Sequence, residues 1–136
     1  MHVIHGAETR RIETPNAVMT TLASPTQGNS SQSLWRVEMA AGHAGPLHGI
    51  DAEQVWTVLA GGANIEVGTD RANLGTGDTI VLPADVSRRI TADKVEGLVA
   101  IVTASASMRA YVLTGSAAGP HPAATDADKV VPGWVV

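Results

Sequence analysis

Residues 42–61 read Gly42-His43-Ala44-Gly45-Pro46-Leu47-His48-Gly49-Ile50-Asp51-Ala52-Glu53-Gln54-Val55-Trp56-Thr57-Val58-Leu59-Ala60-Gly61. Residues 77–91 read Gly77-Asp78-Thr79-Ile80-Val81-Leu82-Pro83-Ala84-Asp85-Val86-Ser87-Arg88-Arg89-Ile90-Thr91. The first block is Gly42, five residues, His48, one residue, Ile50, three residues, Gln54, six residues, Gly61. The second is Gly77, five residues, Pro83, one residue, Asp85, two residues, Arg88, and fifteen residues separate the blocks. In an extended chain, residues two apart point the same way. Positions 48 and 50 therefore project together, as do 54, 56 and 58, and as do 88 and 90. In a small barrel alternate side chains face inward, which puts these positions on one interior.

The flanks carry the same strand-sized rhythm. Ser33–Met39 alternates, with Leu34, Arg36 and Glu38 on one side and Trp35, Val37 and Met39 on the other. That period of two with one apolar face predicts a half-buried strand. Gln54–Leu59, Ala63–Val67, Ala72–Leu74, Thr79–Leu82, Ser87–Thr91, Leu98–Thr103 and Met108–Leu113 read as further strands, cut by glycine-rich turns. Short strands at such spacing predict an all-β sandwich or barrel. Only Asp51-Ala52-Glu53-Gln54 looks locally helical. The head, residues 1–33, offers Val3-Ile4 as an edge strand and a turn at Thr14-Pro15-Asn16. The tail, residues 114–136, is loop-like, with Trp134 expected to pin its end to the barrel.

The spacing of the two glycine-led blocks resembles the cupin superfamily, whose first motif is G-x5-H-x-H-x3-E-x6-G and whose second is G-x5-P-x-G-x2-H-x3-N. The match runs from Gly42 to Thr91 without an insertion. The resemblance implies a single cupin domain over 1–136, a small RmlC-like jelly roll (double-stranded β-helix), with its core motifs at about 34–113. It also implies a divalent metal held by two histidines and a carboxylate of the first motif and a histidine of the second. Here those four positions read His48, Ile50, Gln54 and Arg88. His48 can ligate and Gln54 offers a neutral oxygen, so these two would hold a metal if one is present. Ile50 has no donor atom, and Arg88 stays protonated and would repel a cation. The expectation is a pocket without a tightly held metal.

Fold alone leaves function open. The leading expectation is an enzyme of proton-transfer type, an isomerase, dehydratase or other lyase. His48 would be the general acid/base, with Gln54 orienting and Arg88 stabilising negative charge. Trp56, Ile50, Val58, Ile90 and Arg36 are assigned to the substrate. Arg88 is expected to pair with Glu38 or Asp51, with a ligand anion, or with Asp85 at the barrel mouth. The alternatives are a non-catalytic ligand-binding or sensing cupin, and a metal-dependent oxygenase or isomerase using His48, Gln54 and a third group such as His43.

Composition narrows the partners. The 136 residues carry a formal net charge of −4 and no cysteine, which excludes disulfides and thiolate chemistry. Lysines 94 and 129 stand apart and no basic run exists, so nucleic acid is not expected. No apolar run reaches membrane-spanning length and no signal peptide is read at Met1-His2-Val3-Ile4-His5, so the expected compartment is the cytoplasm. The resemblance further implies a homodimer, formed through edge strands or the N-terminal segment.

Overall fold

The most regular stretch in the sequence becomes the most regular strand. The computed structural model describes residues 1–136. In it Gln32–Met39 is strand β3, burying Ser33, Trp35, Val37 and Met39 while Arg36 faces solvent. The other strands are β1 (Arg10–Glu13), β2 (Val18–Ala23), β4 (His48–Ile50), β5 (Gln54–Val67), β6 (Asp70–Gly75), β7 (Thr79–Leu82), β8 (Arg88–Ala92), β9 (Leu98–Ser105) and β10 (Ala110–Val112).

These strands make two antiparallel layers that share β5. One runs β1-β2-β3-β9-β5-β7 and the other β6-β5-β8-β4-β10. Trp35, Val37, Met39, Trp56, Val58 and Val102 from the first layer meet Ile50, Ile65 and Ile90 from the second in one apolar core. The architecture is all-β with short 3-10 turns at Gly6–Glu8 and Asp126–Asp128, as the strand pattern requires.

Several boundaries differ from the sequence reading, each for a local reason. Gly61-Gly62 does not end a strand: β5 continues across both glycines and bends from one layer into the other. Gly61 has φ +70° and so little room that a Cβ would lie 2.0 Å from the Gly97 carbonyl oxygen. Only glycine can turn this corner against another backbone. Asp51-Ala52-Glu53 is a bend rather than a helix. Val3-Ile4 forms no strand; the edge strand of the head is β1, whose charged residues hid it from an apolar pattern. Asn16 lies in the β1–β2 turn, closed by the Thr14 amide on the Ala17 carbonyl at 2.8 Å.

The tail packs as a plug. Trp134 is half-buried, and its neighbour Val135 is fully buried in the core. Thr21 Oγ1 donates to the Trp134 carbonyl at 2.7 Å, and Ser33 Oγ donates to the Val135 carbonyl at 2.5 Å.

Candidate functional site

The strand parity places the motif side chains inside. Gln54, Trp56 and Val58 of β5, Ile50 of β4, and Arg88 and Ile90 of β8 are all buried. His48 is half-buried. In the second layer His48 stands opposite Arg88 on one side and Val112 on the other. Residues paired across antiparallel strands share a face. This row therefore runs from Arg88, wholly buried, through His48, to Val112, which is 78% exposed. His48 sits at the threshold between a closed interior and an open rim.

Arg88 is an interior cation without a carboxylate. Its Nη2 donates to the Pro83 carbonyl at 2.5 Å and its Nε to the Val86 carbonyl at 3.3 Å. Nη1 reaches Gln54 Oε1 at a long 3.5 Å. Gln54 is the hub: Oε1 also accepts from Trp56 Nε1 at 3.2 Å, and Nε2 points to Met108 Sδ at 3.5 Å. Burial lowers the Arg88 guanidinium to about 10, although Tyr111 and Asp85 oppose the shift. The guanidinium still remains charged near neutral pH. Three of its five N–H groups are used.

The expected partners of Arg88 are engaged elsewhere. Glu38 pairs with Arg36 at 3.2 Å on the outer face. Asp51 is held by Arg109 at 2.9 Å and Lys129 at 3.7 Å. Asp85 forms no ion pair with Arg88; its Oδ1 accepts from the Tyr111 hydroxyl at 2.9 Å. Asp85 occupies the position of a glycine in the family motif and has φ +58°, a left-handed conformation in which Asp and Asn are enriched among non-glycine residues. Its amide bonds the Ile50 carbonyl at 2.8 Å, so the loop before β8 is tied to β4. Arg88 completes that tie from the inside.

His48 is poised as a neutral base. Its Nδ1 lies 2.8 Å from the Pro46 carbonyl, which can only accept, so Nδ1 carries the hydrogen. Nε2 makes no hydrogen bond to the protein and keeps its lone pair. Burial pulls the imidazole below its ordinary value and the Arg88 charge adds to this, against the Pro46 bond. The folded state therefore resists protonation more than the unfolded chain does. As pH falls below about 6.5 the unfolded state takes up the proton first, and stability drops until the folded imidazole also titrates. The other groups displaced from their ordinary values are carboxylates that are lowered, Arg88, Arg109, and Tyr111, pushed up to about 12, and they titrate outside this window. Unfolding free energies from urea titrations between pH 7.5 and pH 5 should fall with a slope of up to about 1.4 kcal/mol per pH unit. His48→Gln should flatten that slope; an unchanged slope would place the titrating group elsewhere.

Two sequence expectations need correction. Arg36 does not face a ligand in the interior: odd positions of β3 point inward, and Arg36 is exposed on the outside. His43 is exposed in the loop before β4 and does not join His48 and Gln54. A cleft of about 370 Å³ lies outside the barrel, between the tail and the second layer, lined by Tyr111, His121 and Lys129 among others. Tyr111 and Met108 were missed. Tyr111 packs its ring on Gly49, where a Cβ would fall 2.2 Å from Cζ. Neither belongs to a motif; only the chain's closure brings β10 and the residues before it to β4.

The donor set does not fit a divalent metal. Ile50 has no ligating atom, Gln54 Oε1 already accepts from Trp56 and Arg88, and the fourth position is a guanidinium. No group of three or more His, Asp or Glu side chains lies together in an arrangement that could hold an ion.

No protein-family model and no curated protein matches the chain. Solved structures do. A RmlC-like cupin from Shewanella frigidimarina NCIMB 400 superposes with a TM-score of 0.66 at 21% identity, over 77% of this chain and 90% of that one. The polyketide cyclase RemF from Streptomyces resistomycificus gives 0.71 at 17% identity, over 85% and 87%. KdgF from Halomonas sp. gives 0.64 at 18% identity, over 77% and 94%. The shared layers, together with the motif residues found at the interior positions that the motif requires, identify the chain as having the cupin fold.

Proposed function

We propose that this chain is a metal-independent, small-molecule cupin in which His48 exchanges a proton with a small organic anion at the rim of the barrel. The observation that carries the reading is the row Arg88–His48–Val112. A neutral imidazole with a free Nε2 stands at the rim, and a buried cation without a counter-carboxylate stands behind it. A ligand bearing a carboxylate or a developing enolate would be drawn toward that positive interior. Arg88 acts through the field and by fixing the loop Pro83–Val86, since none of its surface is exposed. Gln54 orients Arg88 and Trp56 rather than touching the ligand. A positioned base of this kind contributes about 10²–10⁴-fold.

The test uses acetoacetate as an enolisable anion and acetate as a non-enolisable one, with deuterium exchange at the carbon next to the carboxylate read by NMR. Exchange should be accelerated by the wild-type chain and fall at least about 100-fold in His48→Ala, while binding weakens little. Exchange that persists in His48→Ala would remove His48 from the chemistry. Binding of both anions without exchange in the wild type would support the second reading, a non-catalytic ligand-binding barrel. That reading is favoured by the way Gln54, Trp56, Met108 and Arg88 fill the interior with their own hydrogen bonds.

A further inference from the structure

The tail does more than plug the barrel. Ser87 Oγ donates to the Ala117 carbonyl at 2.5 Å, and Ala110 and Val130 exchange both backbone hydrogen bonds, at 2.8 and 2.9 Å. Residues 118–129 are thus a strap pinned to the second layer at both ends. His121 Nε2, 2.9 Å from the Ser116 carbonyl, and the turn at Asp126–Asp128 fix its course. Under the strap lies the cleft of about 370 Å³, within the roughly 300–1,000 Å³ that small-molecule sites occupy. Its floor is Tyr111, packed on Gly49. Gly49 falls between the inward-facing His48 and Ile50, so the floor lies on the outer face of β4, away from His48.

Two opposite charges meet at this cleft without their complements. The Lys129 side chain is only 16% exposed, and its Nζ lies 5.9 Å over the Tyr111 ring. The one carboxylate near it, Asp51, stands at 3.7 Å, beyond hydrogen-bond distance, and already accepts from Arg109 Nε at 2.9 Å. A mostly covered ammonium therefore keeps three unused donors. Asp85 pairs with no cation; its Oδ1 accepts from the Tyr111 hydroxyl at 2.9 Å, and its Oδ2 makes no hydrogen bond. That hydroxyl, pushed up to about 12 by burial and by Asp85, stays protonated and holds the carboxylate in place. Tyr111 also keeps the two charges apart, with Lys129 over its ring and Asp85 at its hydroxyl. Leu113, Pro122, Ala123 and Ala124 supply the apolar wall.

We propose that this cleft is a second binding site, for a small carboxylate that carries a hydroxyl or an ammonium at its other end. The ligand's carboxylate takes the Lys129 donors, its donor end reaches Asp85, and a short apolar stretch lies along the wall above Tyr111. A plain anion would answer Lys129 and face like charge at Asp85; a plain amine would answer Asp85 and be repelled by Lys129. Only a ligand with both ends meets both charges, and such charge-assisted hydrogen bonds are roughly twice as strong as neutral ones. The site does not depend on proton transfer at His48.

The test is a titration of the full, isotope-labelled chain with 4-aminobutyrate, 4-hydroxybutyrate and butyrate, followed through backbone amide shifts. The first two should bind with dissociation constants of about 1 mM, and butyrate about 10-fold more weakly. The shifts should gather at Tyr111, Leu113, Ala123 and Ala124. Lys129→Met should weaken both ligands at least about 10-fold. Asp85→Asn, which tolerates the left-handed backbone, should cost 4-aminobutyrate more than 4-hydroxybutyrate, because the amide oxygen still accepts from a hydroxyl. Ala123→Trp, at an exposed point of the wall, should block the cleft with the urea midpoint near wild type, and it decides the matter if Lys129→Met folds poorly. His48→Ala should leave both affinities unchanged. Shifts that gather at His48 and Val112 instead would move the ligand to the barrel rim and overturn the site. Butyrate binding as tightly as the other two would overturn it as well, as would full affinity in Ala123→Trp or no saturation by about 50 mM.

Discussion

Arg88→Ala should destabilise the chain by about 3–5 kcal/mol, seen as a lower urea midpoint with an unchanged m-value. Three effects add. Truncation opens a void in a core that is otherwise filled. The Pro83 and Val86 carbonyls lose their donors, and the loop they belong to holds Asp85 in a left-handed conformation that needs support. Arg88→Met separates shape from charge. It keeps most of the stem's volume and removes the cost of burying a cation, so it should lose about 2 kcal/mol less than Ala. Arg88→Lys should resemble Met more than Arg, because a compact ammonium cannot reach two carbonyls and Gln54 together. In the Met variant the His48 imidazole should also titrate higher, since one of the charges depressing it is gone. An Ala variant within about 1 kcal/mol of wild type would show that the loop stands without Arg88.

Gly61→Ala should be more damaging still, with a loss above about 4 kcal/mol and little folded protein recovered. The new Cβ would fall 2.0 Å from the Gly97 carbonyl oxygen and 2.8 Å from its carbon, both backbone atoms that belong to a second tight approach. Gly97 is itself boxed in, with the Met39 carbonyl 2.6 Å from its own Cβ position. Relief would require both layers to separate at their corner. Gly77→Ala is the control. Gly77 has φ +90° but nothing within 4 Å of its Cβ position, so it should lose only the backbone penalty of about 1–2 kcal/mol. Equal losses at the two sites would mean that backbone conformation, and not close approach, governs the corner.

The two glycines show how much a motif can say. Their spacing located the barrel, and the parity of Gln54, Trp56, Val58, Arg88 and Ile90 located its interior. Period-two alternation survives folding because a side chain's face is decided by the residue's own place in the strand. The partners of a buried group are decided by residues far away in sequence. Arg88 was expected to find a carboxylate and instead binds two carbonyls of its own loop, a contact made with atoms every residue possesses. Met108 and Tyr111 reach the interior and its rim only because the residues before β10, and β10 itself, close onto β4. Arg36 shows the opposite failure: its strand parity placed it outside, and the assignment to a ligand ignored that. The head was illegible because β1 and β2 pair through backbone bonds with few apolar side chains.

Strand β5 has a consequence for how the molecule comes apart. It is hydrogen-bonded to β7 and β9 in one layer and to β6 and β8 in the other. Neither layer can lose this strand without unzipping its neighbour. The barrel therefore lacks a seam along which one half could open while the other stayed closed. Amide protons on both sides of the corner should therefore exchange through one shared global opening, while the outermost short strands open on their own.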